Sequence, residues 1–153
     1  ATATVHAAVG GARSTVSIDL SNTYLEWGKK NMRLNGFYGE EHEFIQADCK
    51  QWLQENMRLF DLIFLDPPTF SNSKRMKDVL DVQQDHARMI RNAMRVLAPG
   101  GALIFSNNLR SFKMDESILE QFDVQNISKD TIPVDFVRNP KIHHCFEIRY
   151  FDD

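Results

Sequence analysis

Two rhythms of apolar and polar residues take turns along this chain. One is short, unbroken and rich in β-branched residues. It appears over Thr15–Asp19 (Thr-Val-Ser-Ile-Asp), Phe44–Asp48, Phe60–Asp66 and Ala102–Ser106, and each of these predicts a strand. Within the third, Leu62 to Leu65 is wholly apolar, as a strand buried on both faces of a parallel sheet should be. The other rhythm recurs every three or four positions and predicts helices. Thr4–Val9 ends at Gly10-Gly11. Thr23-Tyr-Leu-Glu26 matches a capping box and opens a helix with Leu25, Gly28 and Met32 along one stripe, stopped at Asn35-Gly36. Lys50–Leu59 carries Trp52, Leu53 and Met57 near one face. Val82–Leu97 carries Ala87, Ile90, Met94 and Leu97, and Pro99-Gly100-Gly101 stops it.

After a short helix at Asp115–Leu119, the segments Val124–Ile127 and Cys145–Phe151 alternate enough to be strands. Only a long mixed loop, Asp135 to His144, joins them, so the last strand should run antiparallel. Ser71–Asp81 reads as a polar loop. Alternating strands and helices predict an α/β fold: a Rossmann-like, mostly parallel sheet with helices on both faces.

Composition narrows the picture. With 153 residues, 42% hydrophobic and 25% charged, the chain suits one domain (1–153) with its own core. A net charge of −3 excludes nucleic-acid affinity from a global positive field; such binding needs a local patch or another domain. The apolar runs are too short to span a membrane, and no secretion signal opens the chain. Cys49 and Cys145 form neither a disulfide framework nor a Cys-x-x-Cys pair, which points to a reducing, cytoplasmic setting.

The candidate chemistry gathers at Asp66-Pro67-Pro68-Thr69-Phe70. Pro67 and Pro68 donate no backbone hydrogen bond, so the strand stops there, and Asp66 is pushed away from helical geometry. A carboxylate on a stiff, kinked backbone then stands beyond the carboxyl edge of a sheet, where open α/β sheets bind ligands. Thr69 and Phe70 follow, completing the outline of a site for a flat polar ring. Asp19 and Asp48 end the two preceding predicted strands, so three carboxylates should line one rim. Asp19 is placed for ribose hydroxyls and Asp48 for an adenine amine, although a single Asp at such a place is often only a helix cap. Lys74, Arg75 and Lys77 are candidates for phosphate contact, or a solvated loop.

These residues resemble a family. Val-Ser-Ile-Asp19-Leu-Ser, Gln-Ala-Asp48-Cys, Asp66-Pro-Pro-Thr-Phe-Ser-Asn-Ser-Lys74-Arg-Met and Leu-Ala-Pro-Gly-Gly101 are similar to class I S-adenosylmethionine-dependent methyltransferases. More narrowly, Arg138-Asn-Pro140 and Ile142-His143 join them in resembling the guanine-N7 domain of bacterial bifunctional 23S rRNA methyltransferases. The resemblance implies S-adenosyl-L-methionine as cofactor, held by Asp19, Leu20, Asp48, Cys49 and Asp66. It implies 23S rRNA as partner, met by Phe70, Lys74, Arg75, Arg138 and His143, with an upstream RNA-binding module and a second methyltransferase domain. The family's first strand and glycine-bearing loop have no counterpart here, so the chain reads as N-terminally truncated.

Guanine N7 needs no general base. The close alternative is methylation of an exocyclic amine (guanine N2 or adenine N6), with Asp66 and the Pro67 carbonyl accepting the amine hydrogens; a catalytically silent binding piece is a third reading. Pyrimidine C5 chemistry would require a thiolate, for which Cys49 and Cys145 are poorly placed. No metal site is expected from His143, His144 and Cys145, since neighbours on a strand point to opposite faces.

Overall fold

The strand predicted over Thr15–Asp19 forms with those bounds (β1), following helix α1 (Thr2–Val9). In this computed structural model residues 2–72 and 79–152 are described. They fall into two compact units, one ending at Gln54 and one beginning at Glu55.

In the first unit, helix α2 spans Asn22–Leu34 and buries Leu25, Gly28 and Met32, the stripe read from the sequence. Its cap differs from the expectation. Ser21, not Thr23, is the N-cap, its hydroxyl accepting the Tyr24 N–H at 3.3 Å from an extended backbone. Strand β2 is His42–Gln46, two residues earlier than predicted, and pairs in parallel with β1 from Thr15↔His42 to Asp19↔Gln46. Helix α3 is Cys49–Glu55 and stops short of the predicted Leu59. Asn56 competes for the backbone there: its amide donates to the Arg58 carbonyl at 3.0 Å and its oxygen accepts the Arg58 N–H at 3.4 Å.

The second unit is built on strand β3 (Phe60–Leu65). Strands β4 (Phe70–Ser71) and β5 (Leu80–Asp81) form a small antiparallel pair, which turns both ends of the expected 71–81 loop into strand. Helix α4 (Val82–Arg95) leads into strand β6 (Leu97–Asn107). Helix α5 (Glu116–Gln121), strand β7 (Asp123–Asn126), helix α6 (Ser128–Thr131) and strand β8 (His144–Arg149) follow. The main sheet has the order β3-β6-β8-β7; β3 and β6 are parallel, and β8 runs antiparallel to both of its neighbours, as predicted for the last strand. The stretch before β8 is not one featureless loop: α6 and two 3₁₀ turns, Val134–Phe136 and Pro140–Ile142, occupy it.

Two expectations about this sheet are corrected. First, β3 is an edge strand of its sheet, not a strand covered on both faces. Among the described residues β3 pairs only with β6. Leu62 and Phe64, two residues apart and so on one face, are 58% and 53% exposed, which leaves that face uncovered. Second, Pro99-Gly100-Gly101 does not separate a helix from a strand but lies inside β6. The register steps from Phe60↔Leu97 to Leu62↔Ala102, so the extra residues bulge out of the ladder. Gly100 takes φ +77°, and a Cβ on Gly101 would stand 2.7 Å from the Asp61 carbonyl oxygen; the bulge therefore requires glycine at both places.

The core lies between this sheet and α4. Val82, Met89, Ile90, Ala93 and Met94, at helical spacing on α4, are buried, as are Leu103 and Phe105 of β6 and Ile148 of β8. Burying each of the larger side chains stabilises the fold by about 1.5–3 kcal/mol. His86 is buried among them. Its Nδ1 lies 3.0 Å and 2.9 Å from the Val82 and Gln83 carbonyls, and its Nε2 accepts the Asp115 N–H at 3.0 Å. These partners place the ring proton on Nδ1 and tie α4 to the cap of α5.

Candidate active site

Asp66 follows directly on the last residue of β3, on the exposed side of the strand end, while Pro67 behind it is buried. The Ser106 hydroxyl donates to Asp66 Oδ1 at 2.8 Å. Ser106 belongs to β6, the strand beside β3; the ladder runs to Leu65↔Phe105, which brings the next residue of each strand together. The segment after the prolines is fastened too. The Thr69 carbonyl accepts the Val82 N–H at 3.1 Å, and Phe70 pairs with Asp81, the residue that caps α4 by accepting the Gln84 N–H at 3.2 Å. Pro68 and Thr69 are exposed, and Phe70 presents 58% of its surface. Asp66-Pro-Pro-Thr-Phe is thus a short rigid bridge from the end of a strand to the start of a helix, with a carboxylate at one end and an aromatic face at the other.

Cys145 of β8 sits opposite Ser106 across the β6–β8 pair and is buried. Burial pushes its thiol pKa up; the Thr131 hydroxyl opposes this, and the Asp66 charge adds to it. His143, half-buried, places Nε2 2.9 Å from Thr131 Oγ1. Since the Thr131 hydroxyl donates to the Ile127 carbonyl at 2.8 Å, His143 Nε2 is the donor in that contact, and only Nδ1 is left for an outside group. Arg138 is exposed in the stretch between the two 3₁₀ turns. Lys74, Arg75 and Lys77 lie outside the described residues.

In the first unit Asp19 ends β1, and its Oδ1 accepts the Ser21 N–H at 2.7 Å. Asp48 is not the end of a strand, since β2 stops at Gln46. It caps α3: its Oδ1 accepts the Lys50 N–H at 2.8 Å and the Gln51 N–H at 3.4 Å. The Leu20 carbonyl accepts from the Gln46 side-chain amide at 3.0 Å, which ties the end of β1 to the end of β2. Burial pushes the Cys49 thiol up to about 11, and the charges of Asp48 and Asp19 push the same way. A thiol so placed stays protonated at neutral pH and is no nucleophile.

Ser106 is the residue the sequence reading missed. Its one signal is a hydroxyl closing an otherwise apolar strand, Ala-Leu-Ile-Phe-Ser, and that pattern is equally the mark of a strand that simply ends.

A family model of S-adenosylmethionine-dependent methyltransferases matches residues 1–143. The chain belongs to that family. It is 59% identical over 150 residues to a ribosomal RNA large subunit methyltransferase K/L of Cellvibrio japonicus, covering 98% of this chain and 20% of that protein. Against the protein of the same name from Aliivibrio fischeri (strain MJ11) it is 56% identical over 153 residues, covering 99% and 22%. The chain therefore spans about a fifth of the length of these curated relatives. Among solved structures, SMU.776, described as a methyltransferase and complexed with SAH, superposes with a TM-score of 0.75 at 23% identity, over 94% of this chain and 41% of that one. The ribosomal protein L11 methylase of Lactobacillus delbrueckii subsp. bulgaricus gives 0.68 at 17% identity, over 99% and 65%. These likenesses establish the Rossmann-like methyltransferase fold, and the family makes the chain an enzyme that uses S-adenosyl-L-methionine. The donor set fits the nucleoside half of that cofactor: Asp19 and Asp48 each commit one carboxylate oxygen to a backbone N–H and leave a second acceptor outside those bonds.

Proposed function

We propose that this chain transfers a methyl group to N7 of a guanine in 23S rRNA, in the cytoplasm. It acts as part of a longer polypeptide whose other parts are an RNA-binding module and a second methyltransferase. The observation that carries this reading is the identity with the K/L relatives over nearly the whole chain. The braced Asp66-Pro-Pro-Thr-Phe bridge supports it. For the setting, no helix among the described residues is long and apolar enough to cross a membrane.

S-adenosylmethionine supplies an electrophilic methyl group on a sulfonium. Asp19, with Leu20, holds the ribose hydroxyls. Asp48, beside Cys49, accepts from the adenine amine. Guanine N7 carries a lone pair and no proton, so no side chain acts as a base. The protein's task is to hold the ring in line, and such positioning lowers the barrier by roughly 7–11 kcal/mol. Asp66 does this by accepting from the donors on the guanine Watson–Crick edge, and its charge offsets the positive charge that develops on the ring. Pro67 and Pro68 fix the backbone from which the carboxylate projects, and Thr69 closes the bridge onto α4. Phe70 stacks on the base, worth about 1–3 kcal/mol in single-strand recognition. Lys74, Arg75, Arg138 and His143 meet the RNA around it.

The test is an RNA fragment with 7-deazaguanine at the target position, given to the natural full-length protein. That base lacks the N7 lone pair and keeps the exocyclic amine. No methyl transfer is expected; transfer at the normal rate assigns the site to amine methylation instead.

A further inference from the structure

The proposed chemistry asks more of Asp66 than its prolines can supply. A rigid backbone fixes where Cβ stands, but rotation about the two side-chain bonds still decides where the carboxyl carbon and its oxygens point. Asp66 is exposed, and an exposed carboxylate samples several such rotations. Ser106 removes that freedom. It is 6% exposed, on a neighbouring strand rather than a loop, and its hydroxyl reaches Oδ1 at 2.8 Å. A buried hydroxyl without a partner is costly, so the bond to an ionised acceptor is strongly retained. Among the described residues Ser106 is the one side chain that hydrogen-bonds Asp66. The Cys145 thiol across the sheet, raised by burial, stays neutral and adds no competing charge.

We infer that Ser106 is the positioning residue of the site: by holding Oδ1 it sets the plane of the Asp66 carboxylate and turns Oδ2 toward the N–H donors of the base. This rests on the reading of Asp66 given above and deepens it. It also bears on which base is accepted. A carboxylate held in one plane meets the N1–H of guanine as a donor, but meets the N1 of adenine as a second lone pair. A carboxylate left to rotate loses much of that distinction.

The experiment is a double-mutant cycle on the natural full-length protein, following radiolabelled methyl transfer into an RNA fragment that carries the target. Ser106→Ala is expected to lower kcat about 10- to 100-fold, the range a displaced reacting group produces. The S-adenosylmethionine dissociation constant and the melting temperature should stay close to wild type. Ser106→Thr, which keeps the hydroxyl, should recover most of the rate. In an Asp66→Ala background, Ser106→Ala should cost almost nothing more, since the residue it positions is gone. Unchanged kcat in Ser106→Ala overturns the inference, and so does an equal loss with and without Asp66, which would make Ser106 a structural residue only. Neither outcome touches the choice of N7, which the 7-deazaguanine substrate decides separately.

Discussion

Asp48 is both a proposed cofactor ligand and a visible helix cap, and two substitutions separate the roles. Helix α3 has seven residues, too few to persist on intrinsic propensity, so its first turn depends on the two N–H groups that Asp48 Oδ1 accepts, at 2.8 and 3.4 Å. Asp48→Ala removes that acceptor and should cost about 1 kcal/mol (range ~0.5–2). For a chain of this length that is a fall in Tm of roughly 2–4 °C per kcal/mol. Asp48→Asn keeps an equivalent capping oxygen and gives up only the attraction of a charge to the helix N-terminus, about 0.3–1 kcal/mol at low ionic strength and less in salt. The amide nitrogen that replaces the second oxygen, however, would meet the adenine amine donor to donor. Losing a hydrogen bond to a charged group costs about 1.5–3 kcal/mol, so S-adenosylmethionine should bind roughly 10- to 150-fold more weakly to both variants. The assays are thermal unfolding in moderate salt and calorimetric titration with the cofactor. The expected pattern is a stable Asp48→Asn and a destabilised Asp48→Ala, both weak binders. If Asp48→Asn bound the cofactor as tightly as wild type, Asp48 would be a cap alone.

Two further outcomes follow from the geometry. The Cys49 thiol is raised from 9.0 to about 11 by burial and then by Asp48 and Asp19, so the folded state holds this proton more tightly than the unfolded state. Its contribution is constant below about pH 9, falls as pH rises from there to about 11, and amounts to about 2–3 kcal/mol over that window. Urea unfolding of wild type and Cys49→Ala at pH 8 and pH 11 should show that difference, and an equal gap at both values refutes the assignment. At the bulge, Gly101→Ala places a Cβ 2.7 Å from the Asp61 carbonyl oxygen and 2.9 Å from that of Ala98, both of them backbone atoms with little room to yield. It should destabilise by about 1–3 kcal/mol in a thermal melt, and a change below about 0.5 kcal/mol would mean that the bulge relaxes freely.

What the sequence determined by itself is what local chemistry controls. β1 formed over its predicted residues because a β-branched run between turn residues has few other solutions. The buried stripes of α2 and α4 follow from helical spacing, since positions three and four apart share a face. Asp66-Pro-Pro ended its strand because proline cannot continue a ladder, and the three carboxylates could be named as candidates because each closes a predicted strand. Tertiary structure decided the rest. The apolar run of β3 gave no sign that the strand would stand at the edge of its sheet, because an apolar residue does not specify which neighbour will cover it. Pro99-Gly100-Gly101 looked like a stop and became a bulge inside β6, because β3 pairs with Leu97 before it and with Ala102 after it. Whether Asp48 ended a strand or capped a helix turned on where β2 met β1. The bond from Ser106 to Asp66 joins residues 40 positions apart, and the one from His86 to Asp115 joins residues 29 apart. A linear pattern carries propensity and period, which act over one or two turns of chain. A hydrogen bond between strands depends on register, and register is settled only when the sheet assembles.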